Sequence, residues 1–195
     1  MNDKRPQKKI RILGIAGSLR KGSYNRALLR AAIELAPDEM EITIFDNEIF
    51  SAIPLYNEDI RIQAVPQPVR ILKQEIQKAD GLIFAIPEYN FSVSGVLKNA
   101  IDWVSRPANE SPLNGKPVAI MGASSGIGGT IRAQMHFKQI GTTTNMLLVN
   151  RPQVYVARAA DKFDLDGRLM DEEARHFIGL LMKALLDWTR KITNQ

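Results

Sequence analysis

Cysteine is absent from the 195 residues, and histidine occurs only as His136 and His176. Without a thiol there is no disulfide, no thiolate nucleophile, no Cys-type metal site and no protein-bound iron–sulfur cluster. The two histidines are far apart and lack H-E-x-x-H or any related spacing, so each is expected at a surface or interface rather than on a metal. Apolar runs long enough for a spanning helix are also missing, as is a charged segment followed by an apolar one of the signal-peptide kind. Neither internal repeats nor low-complexity tracts occur. What is there is ordinary globular composition, 45% hydrophobic and 24% charged. It predicts a single cytoplasmic domain over residues 1–195, with no membrane partner.

The formal net charge is +5. Lys4, Arg5, Lys8, Lys9 and Arg11 outnumber Asp3 at the start, so residues 1–9 are expected to form a flexible basic arm. Elsewhere the cations are scattered without interleaved aromatics, which argues against a nucleic-acid partner.

Strand and helix patterns alternate along the chain. Strands are predicted at 11–16, 40–45, 81–86, 116–121 and 145–149, with 154–156 read as an extension of the last. Helices are predicted at 25–36, 69–78, 95–104, 130–140 and 171–190. Five βα units of this kind imply an α/β fold, a doubly wound five-stranded parallel sheet with helices on both faces. The connection 46–66 has no clean period and reads as a flap, an interface segment or an ordered surface loop. Residues 106–113 read as a surface loop.

Three loops fall at the carboxyl ends of strands, where such sheets bind ligands. The first, Gly17-Ser-Leu-Arg-Lys-Gly-Ser-Tyr-Asn25, joins an apolar strand to a helix. A strand that turns into a helix through a polar loop presents free N–H groups and the positive end of the helix dipole, which makes an anion site. Gly17 and Gly22 allow close backbone approach, Ser18, Ser23 and Asn25 offer short polar side chains, and Arg20 suits a terminal phosphate. The glycine spacing is that of a P-loop, but Ser23 and Tyr24 stand where that motif needs Lys and then Ser or Thr. Taken alone, the loop is equally well explained as a turn whose Gly and Ser serve conformation only.

The second loop, Pro87-Glu-Tyr-Asn90, follows Leu82-Ile-Phe-Ala-Ile86 and precedes a helical stripe at Leu97, Ala100, Ile101 and Val104. A backbone N–H there can bond a flavin ring, Asn90 can bond its pyrimidine edge or ribityl chain, and Tyr89 or Phe91 can pack beside it. The plainer alternative is loop aromatics packed on the sheet edge. The third loop, Gly122-Ala-Ser-Ser-Gly-Ile-Gly128, is similar to the glycine fingerprint of short-chain dehydrogenases. Too little chain follows it for a dinucleotide fold, and no Tyr-x-x-x-Lys occurs. Ser124, Ser125 and Gly126 are therefore read as a third wall for the same ligand. Together the loops read as a mononucleotide site, for FMN.

Gly17-Ser-Leu-Arg-x-x-Ser-x-Asn25, Pro87-Glu-Tyr-Asn90 and Gly95-Val-Leu-Lys-Asn-Ala-Ile-Asp-Trp103 resemble the signatures of the NADPH-dependent FMN reductase family, which includes bacterial quinone and chromate reductases. The resemblance runs from about Ile10 to the closing helix. It implies a flavodoxin-like fold, bound FMN, NADPH or NADH as cosubstrate, and a homodimer or homotetramer with flavin sites near the interfaces. It matches Ser18, Arg20, Ser23 and Asn25 to the phosphate positions, Pro87, Glu88, Tyr89 and Asn90 to the ring loop, and Ser124 and Ser125, less closely, to the third loop. Where relatives often carry Gln-Tyr-His and Asn-Lys-Pro-Glu, this chain has Gln134-Met-His136 and Asn150-Arg-Pro-Gln153. The implied reaction passes a hydride from NAD(P)H through FMN to a quinone, free flavin, chromate or a similar acceptor. No side chain is expected to act as nucleophile or acid. A flavodoxin-type electron carrier or a flavin-binding sensor are the alternatives, and the positive charge argues against the carrier, whose docking face is usually acidic.

Overall fold

The computed structural model describes residues 9–193, so the expected basic arm lies, except for Lys9, outside the described residues. The sheet has the order β2 (Met40–Ile44), β1 (Ile10–Ala16), β3 (Gly81–Ala85), β4 (Pro117–Ala123), β5 (Leu147–Leu148). Every pair is parallel. This is the flavodoxin-like doubly wound order. β3 and β4 are buried at every position, as expected of strands enclosed by two helical layers.

Successive residues of each strand point to opposite layers. Ile12, Ile83 and Met121 pack with Leu28 and Leu29 of α1 (Tyr24–Glu34) and Leu181 and Leu185 of α7 (Glu172–Thr193). Leu13, Leu82 and Ile120 face the other way. They meet Leu72 and Ile76 of α4 (Gln67–Lys78), Leu97 and Ile101 of α5 (Gly95–Val104), and Phe137 of α6 (Ile131–Thr143).

Two segments differ from the expected pattern. The fifth strand is split: Leu147–Leu148 pairs with Pro117 and Val118, and β6 (Val154–Val156) pairs further along with Met121 to Ala123. Pro152 lies in the gap and has no N–H for a ladder. β6 thereby carries the edge of the sheet up to the loops that follow β4.

The connection 46–66 is not a bare loop but holds two short helices, α2 (Asn47–Ser51) and α3 (Glu58–Gln63). Each is capped by its preceding residue: Asp46 accepts from the amides of Glu48 and Ile49, and Asn57 accepts from that of Asp59. Between them, the Pro54 carbonyl accepts from Trp103 Nε1 and Asn99 Nδ2, both at 2.8 Å, and the Tyr56 amide donates to Asn99 Oδ1 at 2.7 Å. Asn99 and Trp103 thus fasten this segment to α5. On α3 the Arg61 fork holds the Glu58 carboxyl down to about 2, helped by the Tyr56 hydroxyl. No helix among the described residues is long and apolar enough to cross a membrane.

Candidate functional site

The loops after β1, β3 and β4 enclose one cleft of about 1000 Å³ at the carboxyl edge of the sheet. Of the ligand-facing positions expected from the sequence, all line it except the glycines of the first loop, Gly17 and Gly22. Gly17 lies behind the wall. A Cβ on it would sit 2.8 Å from Pro87 Cδ and 3.1 Å from Leu97 Cδ2, so this glycine lets the first and second loops touch. Ser94, which the sequence reading passed over, ties them further. It caps α5, and its hydroxyl donates to the Gly17 carbonyl at 2.6 Å.

At the first loop, Ser23 caps α1 by accepting from the Arg26 amide, and Ser18 Oγ accepts from the Arg20 amide. Both hydroxyl protons stay available, as do the amides of Tyr24 and Asn25, which have no acceptor within their helix. Arg20 lies over the Tyr24 ring, 5.2 Å from its centroid. Tyr24 in turn packs on Phe163.

Asn25 plays a different part from the one expected. Its amide is buried and paired in both directions with the backbone of one residue: Nδ2 donates to the Ala123 carbonyl and Oδ1 accepts from the Ala123 amide, each at 3.0 Å. The side chain stitches the first loop to the end of β4, so what Asn25 offers the cleft is its backbone.

Glu88 differs likewise. Its carboxylate leaves the ring loop and caps α6, accepting from the amides of Arg132 (2.9 Å) and Ala133 (3.1 Å). Two helix N-termini border the cleft, and Glu88 occupies the anion seat of one. The α1 end remains for a phosphate.

Tyr89 and Ser92 exchange backbone hydrogen bonds at 3.0 Å around Asn90 (φ 50°) and Phe91 (φ 65°), a tight left-handed turn. Such a conformation is costly for a bulky residue, of order 1–3 kcal/mol, and marks the turn as held by its surroundings. In the third loop Ser124 donates to the Gly129 carbonyl. Gly129 has φ +57°, and a Cβ on it would lie 3.1 Å from the Tyr155 backbone. Burial pushes the Tyr155 phenol up, so it stays neutral.

A sequence model of the NADPH-dependent FMN reductase family matches residues 10–161. The chain belongs to this family. It is 49% identical over 183 residues to an NAD(P)H-dependent FMN reductase of Pseudomonas aeruginosa, covering 94% of this chain and 97% of that one. An NAD(P)H:quinone oxidoreductase of Solanum tuberosum is 41% identical, with 90% and 91% covered. Among solved structures, FerB, a flavoenzyme NAD(P)H:(acceptor) oxidoreductase of Paracoccus denitrificans, superposes with a TM-score of 0.83 at 32% identity, covering 93% of this chain and 98% of that one.

The donor set fits the phosphate of FMN. Ser18, Ser23, Arg20 and the first amides of α1 all present hydrogens, and the loop from Gly17 to Asn25 contains no carboxylate. The nearby Asp46 is spent on α2. Arg20→Ala should weaken FMN binding by about 1.5–3 kcal/mol, the range for a hydrogen bond to a charged group, with the fold intact. Titrating apo-protein with FMN checks this, and an unchanged dissociation constant would move the phosphate elsewhere. Sequence reasoning missed Ile127 and Arg132 as wall residues. Arg132 was findable, because it falls in the first turn of a helix predicted to start at this edge.

Proposed function

We propose that the cleft binds FMN and that the protein is a two-electron NAD(P)H oxidoreductase whose acceptors are quinones or flavins, with chromate a further candidate. The observation that carries this is a cleft of about 1000 Å³ whose α1 end is open to a phosphate while its α6 end is filled by Glu88. Relatives named as FMN and quinone reductases over most of the chain support it.

When bound, FMN supplies the redox chemistry, accepting two electrons from a nicotinamide and giving them to an acceptor. The chain's own part is placement. The α1 amides, the Ser18 and Ser23 hydroxyls and Arg20 fix the phosphate end, and the left-handed Tyr89–Ser92 turn sets the height of the ring loop. Pro87, Tyr89, Asn90, Ser124, Ser125 and Gly126 wall the space for the heterocycle. Ile127 (84% exposed) and Phe91 (63% exposed) leave apolar surface at the mouth, where a flat second ligand can lie. The same proposal takes residues 1–195 as one domain, working in the cytoplasm as a homodimer or homotetramer. Exposed Leu55 and Ile62 support assembly.

The purified protein should be yellow, and heat denaturation should release FMN rather than FAD, as read by chromatography of the extract. Anaerobic NADPH or NADH should bleach the visible absorbance, and a quinone should restore it. Failure of both nicotinamides to reduce the bound flavin would rule out the enzyme reading.

A further inference from the structure

The cleft carries a second cation that a flavin phosphate held at α1 does not use. Arg132, in the first turn of α6, has its guanidinium 4.1 Å from the centroid of the Phe91 ring. Its side chain is 54% exposed and borders the cleft. The nearest carboxylate oxygen, Glu88 Oε1, is 3.7 Å from Nη1, outside hydrogen-bond reach. The other oxygen, Oε2, takes the backbone amides of Arg132 and Ala133. Among the described residues the guanidinium therefore makes no hydrogen bond, although ring and carboxylate restrain where it lies. A planar fork held in place with unspent donors suits a phosphate, carboxylate or sulfonate.

Space and surroundings point the same way. The cleft of about 1000 Å³ is at the upper end of small-molecule pockets, so it has room for two ligands. Arg20 and the α1 end define one end, and Arg132 lies on the other side with exposed Phe91 and Ile127 beside it. A ligand with a flat apolar ring and one anionic group would satisfy this wall.

We propose that Arg132, laid on Phe91, is an anion subsite that selects the second substrate through one anionic oxygen group. That group is either a phosphate of the nicotinamide dinucleotide or an acidic substituent on the quinone. The inference rests on the FMN reductase reading above and assigns the substrate chemistry of that site. Because Glu88 caps α6 through backbone amides, changing the Arg132 side chain leaves those bonds in place.

The test uses FMN-loaded wild type, Arg132→Gln and Arg132→Lys. Calorimetric titration with NADP⁺, anthraquinone-2-sulfonate and the neutral menadione reads binding without turnover, at low and high salt. Steady-state KM values for NADPH, the sulfonate and menadione accompany it. In Arg132→Gln at least one anionic probe should bind about 10- to 100-fold more weakly relative to menadione, the span of a charge-assisted hydrogen bond. Its salt dependence should flatten, and Arg132→Lys should recover part of the loss. A loss for NADP⁺ alone assigns the subsite to the donor, and a loss for the sulfonate alone assigns it to the acceptor. An equal change for menadione and both anions, or no change for any probe, overturns the proposal. A wild type that turns over while the anion-to-neutral ratio ignores Arg132 sinks only this inference. A wild type whose flavin neither nicotinamide reduces sinks the enzyme reading instead.

Discussion

Gly122→Ala should lower stability by about 3 kcal/mol or more, the upper end for forcing atoms into a packed core. For a chain of this size that is a fall in Tm of roughly 6–12 °C. Gly122 lies on β4 where the Thr130 side chain and the Ile86 carbonyl close over it. A Cβ there would fall far inside contact with the Thr130 hydroxyl and the Ile86 carbonyl, and 2.9 Å from Thr130 Cβ. Neither neighbour can yield cheaply. Thr130 is fully buried, with Gln134 Nε2 donating to its hydroxyl at 2.9 Å, and Gln134 also donates to the Val154 carbonyl. The Ile86 carbonyl is main chain at the end of a central strand. Adding Thr130→Ala should relieve only the clash with the hydroxyl, so the double variant should stay well below wild type. Thermal unfolding followed by circular dichroism, with retained FMN as a second readout, checks both. A Tm for Gly122→Ala within a degree of wild type would mean that the close approach is not there.

That result would also explain the glycine-rich run 122–128, which looks like a dinucleotide fingerprint in the sequence. Gly122 is there so that α6 can enter close to β4, and Gly129, just beyond the run, adopts φ +57° against β6. A glycine needed for packing and a glycine needed for a pyrophosphate look the same in one sequence. The position of the run, after the fourth strand with little chain remaining, and the lack of a Tyr-x-x-x-Lys separated them.

The central strands were readable for a physical reason. Burial on both faces leaves β1, β3 and β4 as nearly unbroken apolar runs, and the helices beside them carry stripes at the helical period. The elements that resisted reading are those stabilised by particular partners. The helices α2 and α3, five and six residues long, complete too few turns to show a period and depend on Asp46, Asn57, Asn99 and Trp103. The fifth strand broke at a proline-bearing gap that its apolar residues did not announce.

The site divides in the same way. Which loops meet was legible, because a parallel sheet brings the ends of its strands together. What each side chain does there was not. Asn25 and Ala123 are 98 residues apart, and Glu88 and Arg132 are 44 apart, so their hydrogen bonds depend on how loops from different strands abut. Asn25 and Glu88 have the polarity of ligands and spend it on the scaffold.

Asn25→Asp provides the sharpest test of that division, because it changes hydrogen bonding and charge with almost no change in shape. The carboxylate can still accept from the Ala123 amide, but it cannot donate to the Ala123 carbonyl, now 3.0 Å from an oxygen rather than a nitrogen. Leaving that buried acceptor unsatisfied costs about 1–3 kcal/mol. The new charge also sits at the end of the cleft assigned to a phosphate, and like charges in a partly buried site repel by up to about 4 kcal/mol at an effective dielectric near 20. At neutral pH, FMN affinity should therefore fall by about 100-fold or more, further than in Asn25→Ala, which loses both hydrogen bonds but adds no charge. The pH dependence separates the two contributions. Burial, the facing carbonyl and the phosphate all raise the pKa of the introduced carboxyl in the folded, loaded protein, because each disfavours its charged form. The penalty is then largest above that pKa and shrinks as pH falls through it. Once protonated, the carboxyl can both donate to the Ala123 carbonyl and accept from the amide, restoring the pair that asparagine makes. FMN affinity of Asn25→Asp should thus recover in mildly acidic buffer while that of Asn25→Ala does not. Fluorescence titration of both variants across the acidic range measures it, and parallel pH profiles would show that Asn25 does not hold the Ala123 backbone beside the phosphate end.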